Sequence, residues 1–280
     1  MAAVTEKKSE GEIRSLYEKL KPFAKKESRP AWTHWQLKME DYTVTAYTSG
    51  KVVWQGAALD WLEAAEPSPA SEFPQAGSDE VGTGDYFGPV VVASCLVSPD
   101  MAAPLQKLGI TDSKKMTDEA IRKAAPFIAA HCPHSILVVM PDKYNQVHAA
   151  HNIVDMKCRL HNQAWLNLQN KGVSLPALSV VDQFVAEKSY YRYLADVSAY
   201  KPLRFETKAE SRYLAVAAAS VLARARFLEV WDQMEARWDM KLAKGAGAPA
   251  DGSARQFVQK YGRDKLGLVA KLHFKNTDKL

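Results

Sequence analysis

The chain has 280 residues, 47% of them hydrophobic and 25% charged. Those proportions exclude wholesale disorder and collagen-like structure and suit one large domain, or a large and a small one. Lys and Arg (37) outnumber Asp and Glu (32) for a net charge of +5, a mildly basic balance compatible with a polyanionic partner. The longest apolar stretch, Val90 to Val97, contains Ser94 and Cys95 and falls far short of the roughly 20 residues of a membrane helix. The first residues, MAAVTEKKSEGE, lack an apolar signal region. Cys95, Cys132 and Cys158 are odd in number and have no Cys-x-x-Cys spacing, which argues against a disulfide framework. A soluble, cytoplasmic protein is expected, with no membrane association and no obligate protein partner.

In chain order, Ile13, Leu16, Tyr17, Leu20 and Phe23 recur at helical spacing and predict an amphipathic helix that stops in the region from Pro22 to Pro30. Trp35, Leu37 and Met39 alternate, as do Val44 and Ala46, and Ser49-Gly50 turns the chain into Lys51-Val52-Val53-Trp54, a strand meander with a tight hairpin. A second short helix is expected over 57–66. Residues 1–66 thus read as a small α+β domain. Residues 67–74, with Pro67, Pro69 and Pro74, read as a linker, because closely spaced prolines neither continue a helix nor join a sheet interior. Residues 75–280 read as a second domain. It opens with a hairpin of 75–81 and 90–97 around a glycine-rich turn. A helix follows over 117–131 with Thr117 as N-cap, then a strand over 135–140, a helix over 152–170 and a short strand ending at Asp182. A long alanine-rich helix is predicted from about Ala209 to Trp238, then a loop over 244–252 and a final helical stretch. The architecture expected is α/β, a mixed sheet with helices on its faces.

Basic residues concentrate at both ends of the chain, with a surplus of four between Lys7 and Arg29 and of six between Arg204 and Leu280. Two basic ends favour nucleic acid over an acidic small molecule as the partner. Four carboxylates are of interest. Asp79 and Glu80 are adjacent on a predicted strand, where successive side chains point to opposite faces. The sequence after them, Val81-Gly82-Thr83-Gly84-Asp85-Tyr86-Phe87-Gly88-Pro89, has three glycines, which let backbone approach a ligand and leave amides free as donors. Asp182 closes a buried-looking strand, where open α/β sheets commonly hold ligand or metal. Glu210 sits at the predicted start of the long helix, a position that favours a carboxylate through the exposed amides alone. Singly, each has an ordinary explanation as a cap or a solvated charge. Together they suggest a site for Mg2+ or Mn2+, since such ions take oxygen ligands from a few converging carboxylates. Two ions roughly 3.5–4 Å apart can activate a water and stabilise the leaving oxygen of a phosphodiester.

The run Gly77-Ser78-Asp79-Glu80-Val81-Gly82-Thr83-Gly84-Asp85-Tyr86-Phe87-Gly88-Pro89, followed by Asp112-Ser113-Lys114-Lys115, resembles the type 2 ribonucleases H. The Asp-Tyr-Phe-Gly-Pro extension is similar to ribonuclease HIII in particular. So are His161-Asn162, Lys208-Ala209-Glu210 before Ala217-Ala218-Ala219-Ser220, and Leu272-His273-Phe274-Lys275-Asn276-Thr277. Residues 49–56 resemble that family's TATA-binding-protein-like substrate domain. The resemblance implies a ribonuclease H-like core and endonucleolytic cleavage of RNA in RNA/DNA hybrids, leaving 5′-phosphate and 3′-hydroxyl ends. It implies a catalytic, metal-holding set of Asp79, Glu80, Asp182 and Glu210. Asp79 would bridge two ions, Glu210 would serve the ion that activates water, and Glu80 and Asp182 the ion at the leaving side. Gly82, Thr83 and Gly84 would meet the 2′-hydroxyl that marks RNA, and Lys114 a phosphate. The family usually carries a basic residue between those glycines; Thr83 is neutral, so one charge-assisted contact is missing.

Tyr47, Lys51 and Trp54 are further candidates for duplex contact, although strand aromatics more often pack. His131, Cys132 and His134, and His148 with His151, invite a zinc reading but lack a second ligand set at the right spacing. Two rival functions stand beside hybrid cleavage. One is ribonuclease HII-like cutting at single ribonucleotides in DNA. The other is a non-catalytic hybrid-binding protein, which the retention of all four carboxylates disfavours.

Overall fold

The computed structural model describes residues 2–56, 72–110 and 116–280. The chain forms two compact units, 1–68 and 69–280. The helix expected over 57–66, most of the proline-rich linker and Lys114 lie outside the described residues.

In the small unit β1 (Ala2–Lys7) precedes α1 (Glu10–Leu20), and β2 (Lys26–Ser28), β3 (Thr33–Lys38), β4 (Tyr42–Tyr47) and β5 (Lys51–Gly56) complete an antiparallel sheet of order β1-β5-β4-β3-β2. Ser9 and Glu12 close a reciprocal capping box at the start of α1. Ile13 packs with Trp35, Leu37, Val44, Ala46, Val52 and Trp54 in the core. Trp54 is therefore a packing residue, 3% exposed, which removes it as a candidate for duplex contact. Lys51 is exposed and Tyr47 half-buried. Strand β1 is a feature the sequence pattern does not announce; its pairing with β5 depends on backbone groups rather than side-chain alternation.

The large unit is built on a second five-stranded sheet, β10-β9-β6-β7-β8. Its strands are β6 (Gln75–Val81), β7 (Val90–Val97), β8 (His134–Val139), β9 (Ser179–Asp182) and β10 (Arg204–Glu206). β7 pairs antiparallel with both β6 and β8, while β9 lies parallel to both β6 and β10. The expected hairpin and mixed sheet are both present. The helices are α2 (Pro99–Lys107), α3 (Asp118–His131), α4 (Pro141–His148), α5 (Ile153–Asn170), α6 (Glu187–Tyr193), α7 (Leu214–Arg237) and α8 (Ala248–Tyr261). Thr117 and Asn152 cap α3 and α5 through their side-chain oxygens. Two boundaries differ from expectation. α7 starts at Leu214, because Lys208 takes a positive φ of 55° and Ala209–Ser211 form a separate 3-10 turn. α8 begins inside the segment expected to be a loop, with Pro249 in its first turn, where a missing amide costs nothing.

Strand alternation sorts β6 between two layers. Gly77 and Asp79 face α7, whereas Ser78 and Glu80 face α5. A Cβ on Gly77 would stand 2.3 Å from the Val216 backbone nitrogen, so this glycine lets α7 lie directly on the strand. Gln75 pins the same crossing by accepting a hydrogen bond from the Ala215 amide at 3.0 Å.

Candidate active site

Asp79 is 6% exposed near the end of β6. Its Oδ1 accepts the Glu80 amide at 2.8 Å, and Ser220 on α7 hydrogen-bonds the same carboxylate. The register that pairs Ser78 with Val181 sets Asp182 beside Asp79 one residue further on. Asp182 Oδ1 accepts the Ala209 amide at 2.8 Å. That bond holds the 3-10 turn carrying Glu210, 5% exposed, whose Oε2 accepts from Ser220 Oγ at 3.5 Å. The structure thus brings three of the predicted carboxylates to the α7 side of the strand ends. Glu210 is placed by this turn and not by the amides of the long helix.

Glu80 is reached from the other layer. Its Oε2 accepts from His161 Nε2 at 2.9 Å, and Lys157 pairs with its other oxygen. His161 is fully buried and its Nδ1 pairs with Ser78 Oγ at 2.8 Å. The two adjacent carboxyls are consequently shifted in opposite directions. Burial, then the nearby Glu80 and Asp182 charges, push the Asp79 carboxyl well above its usual value. Burial acts the same way on Glu80, but His161 and Lys157 outweigh it and hold this carboxyl below the usual range.

The donors present are carboxylate oxygens, the chemistry that suits a hard divalent cation. Asp79, crowded by like charges in a buried setting, has the most to gain from one. Both oxygens of Glu80 are engaged by protein groups. Among the described residues no three or more His, Cys, Asp or Glu are gathered into a ready metal cage, so waters and substrate oxygens would have to complete any coordination sphere. The histidines of the zinc reading have other partners. His131 and His134 bond backbone carbonyls, His148 stacks on His273, and His151 pairs with Asp155.

The turn after β6 divides its glycines by task. Gly82 has a φ of +90°, and a Cβ there would meet the Pro89 carbonyl oxygen at 2.1 Å. The protein's own backbone already requires this glycine. Gly84 is exposed with open space around it, and Thr83 is half-buried. Lys271, fully buried, donates from Nζ to the carbonyls of Asp85 (2.7 Å), Phe87 (3.2 Å) and Gly88 (2.8 Å), fastening the turn from beneath. Ser220, Lys157 and Lys271 escape sequence reasoning as site residues. Only Ser220, at the end of a run of small residues, and His161, beside Asn162, stand in segments that drew attention.

Sheet order and carboxylate cluster suit a nuclease core, and comparison with known proteins agrees. A family model described as Ribonuclease HII matches residues 76–277, and one described as a domain of unknown function (DUF3378) matches residues 4–70. The large unit is a type 2 ribonuclease H domain. A Ribonuclease HIII of Streptococcus pneumoniae (strain CGSP14) is 40% identical over 288 residues, covering 100% of this chain and 99% of that relative. The structure of Bst-RNase HIII in complex with Mn2+ superimposes with a TM-score of 0.72 at 34% identity, over 99% of this chain and 97% of that one. Aquifex aeolicus RNase H3, 22% identical with a TM-score of 0.59 over 97% of this chain and 100% of that one, shares the fold. The chain belongs to the ribonuclease HIII family of ribonuclease H enzymes. None of its described helices is long and apolar enough to cross a membrane.

Proposed function

We propose that this chain cleaves the RNA strand of RNA/DNA hybrids endonucleolytically, leaving 5′-phosphate and 3′-hydroxyl ends, with Asp79, Glu80, Asp182 and Glu210 as the residues that hold two divalent ions. The observation that carries the reading is the crowding of Asp79 by Glu80 and Asp182 in a buried position, with Glu210 joined through Ser220. Bound there, Mg2+ or Mn2+ would supply an activated water and stabilise the leaving 3′-oxygen. The protein's part is orientation. Ser220 holds Asp79 and Glu210 in one arrangement, and the Ala209 amide fixes Asp182. His161 and Lys157 keep Glu80 ionised, so it enters catalysis as a carboxylate. The exposed backbone of Gly84 is available to the ribose 2′-hydroxyl, the group that separates RNA from DNA. The Mn2+ complex of Bst-RNase HIII supports the choice of ion.

The test is cleavage of a uniform hybrid and of a DNA duplex with one ribonucleotide, each with Mg2+ and with Mn2+. Cutting of the hybrid at many positions is expected. Cutting only beside the single ribonucleotide would move the chain to ribonuclease HII-like specificity, and binding without cutting would make it a non-catalytic hybrid-binding protein.

A further inference from the structure

We propose that Arg224 and Lys244, bridged by Asp118, form a phosphate site for the backbone of a nucleic-acid duplex beside the turn that follows β6. Asp118 Oδ1 accepts from Arg224 Nη2 at 2.9 Å and Nε at 3.2 Å, and its Oδ2 from Lys244 Nζ at 2.7 Å. Two cations share one carboxylate, which leaves a surplus positive charge. The Arg224 and Lys244 side chains are 35% and 39% exposed, so that charge is open to an incoming anion. Burial would raise the Asp118 carboxyl, yet Lys244 and Arg224 hold it below its usual value, the sign of a cation-rich surrounding.

Placement supplies the second argument. Ser220, which touches Asp79 and Glu210, is one helical turn before Arg224 on α7, a rise of about 6 Å. Three residues on, Phe227 lies against Gly82, 3.0 Å from where its Cβ would stand. Lys244 precedes Gly245, whose amide donates to Asp85 Oδ1 at 2.6 Å and whose carbonyl accepts the Tyr86 amide at 3.0 Å. Both cations therefore sit on elements that frame the Gly82–Gly88 turn, whose tip, Thr83-Gly84, carries no charge. The pair brings positive charge from α7 and the segment before α8 to this uncharged tip. A guanidinium beside an ammonium suits a phosphate oxygen, the one by its fork of donors and the other as a point charge.

The inference rests on the proposed nuclease reading, and the experiment separates the two. Binding of an RNA/DNA hybrid is measured in EDTA over a range of KCl concentrations for wild type, Arg224→Gln, Lys244→Gln and Asp118→Asn, and steady-state cleavage with Mg2+ for the same proteins. These half-exposed ion pairs contribute little to stability, and thermal melts confirm folding. Arg224→Gln and Lys244→Gln are each expected to reduce the slope of log affinity against log salt by roughly 0.9 and to raise KM several-fold with kcat nearly unchanged. Asp118→Asn, which frees both cations, should tighten binding and steepen the slope; a purely structural bridge would do neither. Thr83→Lys should restore affinity to the Arg224→Gln protein. Unchanged slopes in the two Gln variants, or a fall in kcat at constant KM, overturn the phosphate site. A wild type that binds hybrid with the expected slopes but never cuts it overturns the nuclease reading and leaves the phosphate site standing.

Discussion

Glu80 and Lys157 form an ion pair that is nearly out of water, their side chains 12% and 13% exposed. His161 completes the arrangement from the neighbouring turn of α5, and Lys157 Nζ also lies 3.9 Å from the centroid of the Phe184 ring. A buried charge left without its partner is costly, whereas removing both partners together is often close to neutral. Lys157→Met is therefore expected to destabilise the protein by about 3–5 kcal/mol at neutral pH, and the Lys157→Met/Glu80→Gln double variant to recover most of that. Urea unfolding of the three proteins measures it; equal losses in single and double variants would mean that the ion pair is not coupled. The Glu80 carboxyl lies below its ordinary value, so its contribution is full above that value and lost as pH falls through the lower, folded one.

Asp79 carries the opposite sign. Its carboxyl is raised by burial and by like charges, so between the unfolded and the folded values the folded protein holds a proton that the unfolded chain has released. Stability without metal then falls as pH rises from the unfolded value toward the folded one. Asp79→Asn removes that penalty. The variant should melt higher than wild type at neutral pH in EDTA while losing at least about 10²-fold in turnover, the scale of deleting one preorganised electrostatic group. Near-normal turnover from a folded Asp79→Asn protein would take Asp79 out of the mechanism.

Lys271 gives a pH dependence in another range. Burial lowers its ammonium to about 7, with Asp85 opposing. The unfolded chain keeps this proton up to the usual lysine range, so between about 7 and that range stability should rise with pH, by at most about 1.4 kcal/mol per unit. Lys271→Met should remove the rise and lower stability by leaving the carbonyls of Asp85, Phe87 and Gly88 without their donor. Chemical unfolding of both proteins at several pH values from 7 upward is the measurement; parallel curves would show that Lys271 does not titrate there.

Gly82 and Gly84 are two residues apart and should respond differently to one methyl group. Gly82→Ala places a Cβ on the Pro89 carbonyl at a positive φ and should cost roughly 2 kcal/mol or more. Gly84→Ala has open space and should melt like wild type, any effect appearing in KM for the hybrid. Equal melting temperatures for the two variants would contradict the division of labour in this turn.

The features legible in the chain alone are local or carried in a contiguous run. The β6–β7 hairpin shows in its apolar strands and intervening glycines, the starts of α3 and α5 in Thr117 and Asn152, and the carboxylates Asp79, Glu80, Asp182 and Glu210 in their immediate neighbours. Each is a relation between residues a few positions apart, where spacing already implies geometry. Tertiary structure decided how these pieces meet. Ser220 is 141 positions from Asp79 yet bonds it, because Gly77 lets α7 lie on β6. The Glu80 carboxyl lies below its usual range because α5 brings His161 and Lys157 to it. Glu210, on a 3-10 turn tied to Asp182 rather than on the helix that periodicity extends over it, is joined to Asp79 through Ser220. Periodicity reports which side of an element is buried, but not which partner buries it. Packing makes that choice, and in this protein it also shifts the Asp79 and Glu80 carboxyls in opposite directions.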